Sequence, residues 1–535
     1  MTTYSFSIIE LVILILWLFS ALFDYIKFSY IWQLKEYRLD RFRDFITSNR
    51  GKDFLLSYPL VWRTIIGLLL LLVPYPDLIF LKYALVVFLG WELLYNCYHL
   101  INKGLARPTP TKKIILLILT AIAFEVAVIW FTQSWYSIIW ILIFRFLTVS
   151  SVVGILYIPT NIAKSIYIRK ATSKMEKFND LTVIGITGSY GKTTVKNYLS
   201  EILSCKYSVI KTPKNINTPI GVSQHILSSD FQDKDIYVVE MGAYRRGEIK
   251  EICDIVNPRI GILTAIDKEH LSLFGSVEAI QKTKYELLRS IPDNGLVITN
   301  ADNKYCTEFL GELSAEVKTF GIDEENEPDF LVKDIESSHN QLSFKANIGG
   351  EEVNFKASVI GGHNAENIAA ATLAANFLDV SIEDIKDECL SLETPERRLT
   401  IRDYGRARII DDSYNSNPKG FKAALNVLST FSSDKKHIVI TRGMLELGEE
   451  SFEAHKRIGE EISFYADELV IISKDSEKAL KAGILEKYRT KVKTIFDIDD
   501  LLEYVRSLYD TNSVILIENR LPPKVYEEIL GDDEN

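Results

Sequence analysis

Tryptophan is missing from most of this chain. All seven (Trp17, Trp32, Trp62, Trp91, Trp130, Trp135 and Trp140) fall within the first 140 of 535 residues, whereas most acidic residues come after residue 175, so the two parts meet different solvents. Cysteine is scarce. Cys97, Cys205, Cys253, Cys306 and Cys389 are scattered with no C-x-x-C pair, which argues against a zinc knuckle or a disulfide framework and for a reducing compartment. Positive charge is not in excess either: 61 Lys and Arg against 71 Asp and Glu give a net charge of -10, and a nucleic-acid partner is disfavoured because a polyanion would be repelled. The first apolar run lacks the basic flank and small-residue cleavage site of a removable signal, and further runs follow it, so it reads as an anchor.

Long apolar runs are plentiful. Five of spanning length occupy residues 6–25, 56–73, 78–97, 114–131 and 136–157. Lys35, Arg38, Arg41, Arg43 and Arg50 follow the first, Arg107 and Lys112 the third, and Lys164, Arg169, Lys170, Lys174 and Lys177 the fifth, whereas residues 74–77 and 132–135 hold no Lys or Arg. The positive-inside rule then predicts a multi-pass helical membrane domain with its N-terminus outside and everything after residue 160 in the cytoplasm. Glu10, Arg63, Glu92, Glu125 and Arg145 lie within or near the spans. Charges there either line a polar or carrier-lipid site or pair with one another, and both readings stay open.

After residue 180 the pattern changes to short β-rich runs alternating with amphipathic helices, which predicts an α/β fold with a parallel sheet. Strands are expected at 182–187, 235–240, 259–266 and 295–300, and the first leads into Gly185-Ile186-Thr187-Gly188-Ser189-Tyr190-Gly191-Lys192-Thr193-Thr194. A glycine-rich turn between a buried strand and a helix lets backbone N–H groups surround a polyphosphate, while Lys192 neutralises charge and Thr193 offers a hydroxyl to Mg²⁺. The strict G-x-x-x-x-G-K-[ST] spacing is missed, because Ile186 stands where its first glycine belongs. Glu240 closes the second of these strands and His270 follows the third, giving a carboxylate and an imidazole as further candidate Mg²⁺ ligands.

Residues 330–360 alternate around Gly349-Gly350 as a β-hairpin, and an alanine-rich helix is expected at 368–377. Asn364 and Asn367, three apart, put two amides on one side of its start, where they suit a purine edge; for Asn364 an N-cap is equally open. A boundary near 391–395 precedes a second, Rossmann-like α/β unit with strands near 399–402, 407–411, 437–441, 469–472 and 514–517 and no second phosphate loop. The division that results is 1–160 membrane domain, 161–180 basic linker, 181–392 central P-loop domain and 393–535 C-terminal domain.

Taken in order, Thr187-Gly188-Ser189-Tyr190-Gly191-Lys192-Thr193-Thr194, Asn215-Ile216-Asn217-Thr218-Pro219-Ile220-Gly221, Glu240-Met241-Gly242-Ala243, His270-Leu271 with Phe274-Gly275-Ser276, and Lys284 resemble the Mur ligases, the ATP-dependent amide-forming enzymes of bacterial cell-wall precursor synthesis. The resemblance covers roughly 181–530. Asp411-Asp412-Ser413-Tyr414-Asn415-Ser416-Asn417-Pro418 and Met444-Leu445-Glu446-Leu447-Gly448-Glu449 are most similar to the subgroup that adds D-alanyl-D-alanine to UDP-N-acetylmuramoyl-tripeptide.

The resemblance implies a bacterial inner-membrane ligase using ATP and two Mg²⁺ ions. Gly188, Ser189, Gly191, Lys192, Thr193 and Thr194 would hold phosphates; Thr193, Glu240, His270 and Lys284 would serve the metals, with a carbamylated lysine expected at Lys284; Lys192, Lys284 and His270 would be catalytic. Asn364 and Asn367 would face adenine, Arg398 the phosphates and Asp412 the ribose, with Asn415 and Asn417 in the cleft. Soluble members carry an N-terminal uridine-nucleotide domain, and here membrane spans stand in that place, so the acceptor is either gripped by the two remaining domains or membrane-linked. Ligation of another envelope polymer, or a non-catalytic nucleotide sensor, are the rival readings.

Overall fold

The structure, a computed structural model, describes the chain apart from residues 1–6, 36, 48–50, 53, 55–60, 66–78, 103–106, 133, 135–136, 268–273, 339–340, 396, 415, 445–446, 448–449 and 531–535. It divides into two compact units, Met1–Ser165 and Ile166–Asn535.

In the first unit, helices α1 (Ile8–Leu34), α2 (Leu39–Thr47), α3 (Ile79–Asn102) and α4 (Lys112–Thr132) precede α5 (Ser137–Met175), which continues into the second unit. Among the described residues four helices, α1, α3, α4 and α5, are long and apolar enough to cross a membrane. Most of the expected span at 56–73 lies outside the described residues. The segment from 161, read as a linker, continues as helix to Met175.

The charges in the spans pair with one another. Arg63 reaches Asp24 at 2.6 Å and donates from Nε to Glu92 at 2.8 Å, while Arg145 reaches Asp24 and Glu125 at 2.9 Å each. Trp17 Nε1 donates to Glu125 at 2.9 Å, Ser20 to Glu92 at 3.0 Å, and Lys82 to Glu10 at 2.8 Å. A charge in an apolar bundle is costly unless compensated, and this network compensates each of the five ionisable residues singled out from the sequence.

In the second unit, strands β1 (Thr182–Thr187), β2 (Val209–Lys211), β3 (Ile236–Glu240), β4 (Ile260–Leu263), β5 (Leu296–Asn300), β6 (Glu316–Gly321), β7 (Phe330–Ser337), β8 (Leu342–Ile348) and β9 (Glu351–Ala357) form one sheet in the order β2-β3-β1-β4-β5-β6-β7-β8-β9. It is parallel as far as β7 and antiparallel from β7 to β9. Both faces are covered, so successive residues feed different cores: Ile236 and Val238 pack on the side of helix α6 (Lys192–Leu203), Tyr237 and Val239 on the side of helix α7 (Val277–Leu288). Beside α6 lies helix α8 (Asn364–Phe377), whose alanines 369–371, 374 and 375 are fully buried. Ala171 and Met175 of α5 are buried in the α7-side core with Val183, Ile226, Phe231 and Tyr237.

Strands β10 (Thr400–Tyr404), β11 (Ala407–Asp412), β12 (Lys436–Thr441), β13 (Glu468–Ile471), β14 (Lys491–Thr494) and β15 (Ser513–Glu518) form a second sheet, β10-β11-β15-β12-β13-β14, antiparallel only at β10. Helix α9 (Pro418–Ser429) follows β11 and starts on Asn417, which caps it by accepting from Gly420 N at 2.9 Å.

Candidate active site

Strand order reverses at β1, with β3 on one side and β4 on the other, and a crevice opens beyond the carboxyl ends of such strands. The glycine loop sits there. Gly191 is the N-cap of α6 at φ 82°, and a Cβ on it would meet Asn367 Oδ1 at 2.8 Å; on Gly188 it would meet Thr264 Oγ1 at 1.9 Å. Only glycine fits at these two points, because α8 and the end of β4 press against the loop. Ser189 N donates to Ala265 O at 2.7 Å, and Thr264 Oγ1 donates to Tyr190 O, fixing the turn. Lys192 Nζ folds back on the loop's own carbonyls, Gly188 O and, at 3.2 Å, Ser189 O.

Glu240, 1 % exposed at the end of β3, accepts from Thr193 Oγ1 at 2.8 Å, Asn217 Nδ2 at 3.0 Å and Lys196 Nζ at 3.2 Å. Burial pulls the Lys196 ammonium below the usual lysine range, against the opposing pull of Glu240. Arg398, from the segment leading into β10, donates from Nη2 to Thr193 Oγ1 at 3.1 Å and lies over the Tyr414 ring at 4.3 Å. Residues of both sheets thus meet at one hydroxyl. They line a cleft of about 630 Å³ that also takes in Lys284, Asn364, Asn367, Asp412, Asn417 and Lys419.

Lys284 is a buried residue of α7. Asn364 is not the helix cap, which is His363; its amide donates to Ile360 O at 2.7 Å and its oxygen accepts from Asn367 at 2.9 Å, so it orients its neighbour. Asp412 faces Glu518 across paired strands, and Ser416 Oγ donates to Glu518 at 2.6 Å. Burial pushes the Asp412 carboxyl up to about 7 despite Arg398, and burial with the adjoining Asp412 holds Glu518 well above the usual carboxylate range. His270 and Asn415 lie outside the described residues, as do Leu445, Glu446, Gly448 and Glu449.

Sequence reasoning gave no role to Lys196, Asn217, Thr264, Lys419 or Glu518. Thr193 and Lys196, three apart at a helix start, carry a readable one-face spacing. Lys419 and Glu518 have no local signal, because their partners Tyr190 and Asp412 are more than a hundred residues away.

Models of two domains match the chain: the Mur ligase middle domain over residues 186–375, and the Mur ligase glutamate ligase domain over 397–518. The UDP-N-acetylmuramoyl-tripeptide–D-alanyl-D-alanine ligase of Bacillus subtilis (strain 168) is 30% identical over 352 residues, 65% of this chain and 75% of the relative. The chain belongs to the Mur ligase family. The enzyme of the same name from Escherichia coli (strain K12) is 29% identical over 317 residues, 58% of this chain and 69% of the relative. Among solved Mur ligases, MurF from Thermotoga maritima in complex with ADP has a TM-score of 0.61 at 27% identity, covering 69% of this chain and 82% of that one. MurF from Acinetobacter baumannii also has 0.61, at 26% identity, covering 68% and 79%. Residues 1–165 lie outside both matched models.

Mur ligases use ATP and Mg²⁺, and the cleft fits both. The glycine loop leads into the N-terminus of α6, whose first backbone N–H groups suit phosphates, and Thr193 and Glu240 present a hydroxyl and a carboxylate, the hard oxygen donors Mg²⁺ prefers.

Proposed function

We propose that this Mur ligase joins D-alanyl-D-alanine to UDP-N-acetylmuramoyl-tripeptide, or to its lipid-linked equivalent, at the cytoplasmic face of a bacterial inner membrane, with its N-terminus outside. The observation that carries the reading is the meeting of Thr193, Glu240 and Arg398, which ties the phosphate loop, the end of β3 and the chain entering the second sheet into one cleft. Domains at 181–392 and 393–535 would close over nucleotide and acceptor.

In this reading the acceptor carboxylate attacks the γ-phosphorus of ATP: a carboxyl O–P bond forms, the bond to the bridging oxygen breaks, and ADP leaves. The dipeptide amine then attacks the acyl carbon, loses a proton, and expels phosphate to leave an amide. Lys192 turns from its loop carbonyls to the β- and γ-phosphates, and Arg398 to the transferred group; preorganised positive charge of this kind lowers the barrier. Thr193, Glu240 and His270 would hold Mg²⁺, which would supply neutralisation of the phosphate charge. Carbamylated Lys284 would turn a buried cation into an anion beside a second ion. Asn367, held by Asn364, faces adenine, and Asp412 the ribose.

The four apolar helices favour a lipid-linked acceptor as the second reading. The full chain, assayed for phosphate release with ATP, is expected to turn over only when D-Ala-D-Ala and a muramoyl-tripeptide are both present. Running soluble and lipid-linked acceptors side by side separates the two readings, and ATP hydrolysis indifferent to both would overturn them.

A further inference from the structure

The two sides of the cleft carry different chemistry. In the strand order β3-β1-β4-β5-β6, Glu240 at the end of β3 lies on one side of the glycine loop, and the ends of β5 and β6 lie on the other. At about 4.8 Å per strand these ends stand about 10 and 14 Å from β1, far enough to take the base of a nucleotide whose phosphates rest on the loop. Ile322, just past β6, lines the cleft there at 51% exposure and offers an apolar surface to a flat ring. The polar side chains that follow β5 are committed to the fold. Asn300 Oδ1 accepts from Asp302 N at 2.8 Å, and Asp302 accepts from Ile322 N at 2.6 Å and Asn326 Nδ2 at 2.9 Å. Asn303 donates to Ile266 O at 2.9 Å and accepts from Tyr305 N at 3.2 Å. Glu366, on the first turn of α8, differs. Asn300 Nδ2 donates to its Oε1 at 2.8 Å, while its Oε2 accepts from none of the described residues, and the side chain lines the cleft.

We propose that Glu366 selects the nucleotide base, its open oxygen accepting a hydrogen bond from the exocyclic amine of adenine. Only that amine and the two ribose hydroxyls of ATP can donate, and the ribose falls to Asp412 of the second sheet. Asn300 turns the carboxylate and fixes which oxygen stays open. A hydrogen bond to a charged acceptor is about twice as strong as a neutral one, so a base lacking the amine leaves a half-buried carboxylate without a donor and binds less well. The bland alternative is that an acid in the first turn only complements the dipole of α8, which would stabilise the helix without discriminating between bases. The assignment rests on reading the cleft as the ATP site.

The test is titration calorimetry of the full chain in detergent with Mg²⁺ and either ADP or purine riboside 5′-diphosphate, which lacks only the amine. Wild type is expected to bind ADP about 10- to 100-fold more tightly, and Glu366→Ala to bind the two within about twofold of each other. The ratio is taken within each variant, so a general weakening of the fold does not move it. Equal binding of the two by wild type, or the same preference in wild type and Glu366→Ala, overturns the assignment and leaves Glu366 to its helix. So does a loss confined to the preference for ADP over its 2′-deoxy form, which would give the carboxylate to the ribose. A raised KM for D-Ala-D-Ala with the ADP preference kept overturns it too, and would give Glu366 to the incoming ammonium. Absence of heat with all three nucleotides in wild type overturns the nucleotide reading of the cleft and the assignment with it.

Discussion

Lys419 Nζ donates to the Tyr190 hydroxyl at 2.9 Å, joining the first turn of α9 to the glycine loop. Burial disfavours its charge, yet the Tyr190 hydroxyl with the Asp267 and Glu366 carboxylates holds its ammonium above the usual lysine value. The bond links α9 to the glycine loop across the cleft. Lys419→Ala is expected to lower kcat/KM for ATP by about 10- to 100-fold, the range for losing a charged hydrogen bond, while Lys419→Arg recovers part of it. Steady-state kinetics with ATP varied decide this, and unchanged values would remove Lys419 from the closure.

Lys192→Ala is expected to abolish turnover while leaving the fold intact, since its ammonium bonds to the loop's own carbonyls, Gly188 O and Ser189 O, and its side chain belongs to none of the hydrophobic cores. Lys284→Ala is expected to do the same, with partial recovery when a short carboxylic acid such as acetate replaces the lost anion. Phosphate release with both substrates present measures each, and full activity of either variant sinks the proposed role of that lysine.

The Asp412 and Glu518 pair gives stability a sign with pH. Both carboxyls are raised in the fold by burial, so between about pH 4 and pH 7 the native chain binds more protons than the unfolded one, whose carboxyls titrate near 4. Stability from this pair is fully present below that window and is lost as pH rises through it. Glu518→Gln removes one acid from the pair and keeps an oxygen for Ser416. It is expected to raise Tm at pH 8 by about 2–4 °C and to leave Tm at pH 4 nearly unchanged. Thermal melts across pH check it, and a variant that melts lower at pH 8 would contradict the cost of burying both carboxylates.

In the helical unit, Arg145→Met strands Glu125 and Asp24 without one of their cations and is expected to destabilise by about 3–5 kcal/mol. Adding Glu125→Gln should return part of the loss, because an amide costs less to bury than a carboxylate. Thermal unfolding in detergent reads both, and additive losses would mean the pair is not coupled.

Much of this was legible in the sequence. β1, β3, β4 and β5 alternate between two cores and are nearly all apolar, so their positions could be read to within a residue or two, save the end of β4, expected at 266 and found at 263, and the glycine loop was fixed by its own composition. The strands that escaped were β2, β6 and β14. Two of them are edge strands, Val209–Lys211 and Lys491–Thr494, part-exposed and short, and their pairing comes from a neighbour rather than from any hydrophobic pattern. In the site, residues inside contiguous motifs were found, whereas Lys196, Lys419 and Glu518 acquire meaning only when distant strands and helices bring their partners near. The charges in the apolar helices could be seen but not matched, since Asp24 to Arg145 spans 121 residues.

Ala171 and Met175 sit in the α7-side core with Val183, Phe231 and Tyr237. A fragment meant to free the ligase from its apolar helices therefore cannot begin at the first strand. Starting near residue 181 would uncover the groove those two side chains fill and yield an aggregating protein, whereas starting near 166 keeps the plug in place and should give a soluble enzyme suited to crystallisation and inhibitor screening.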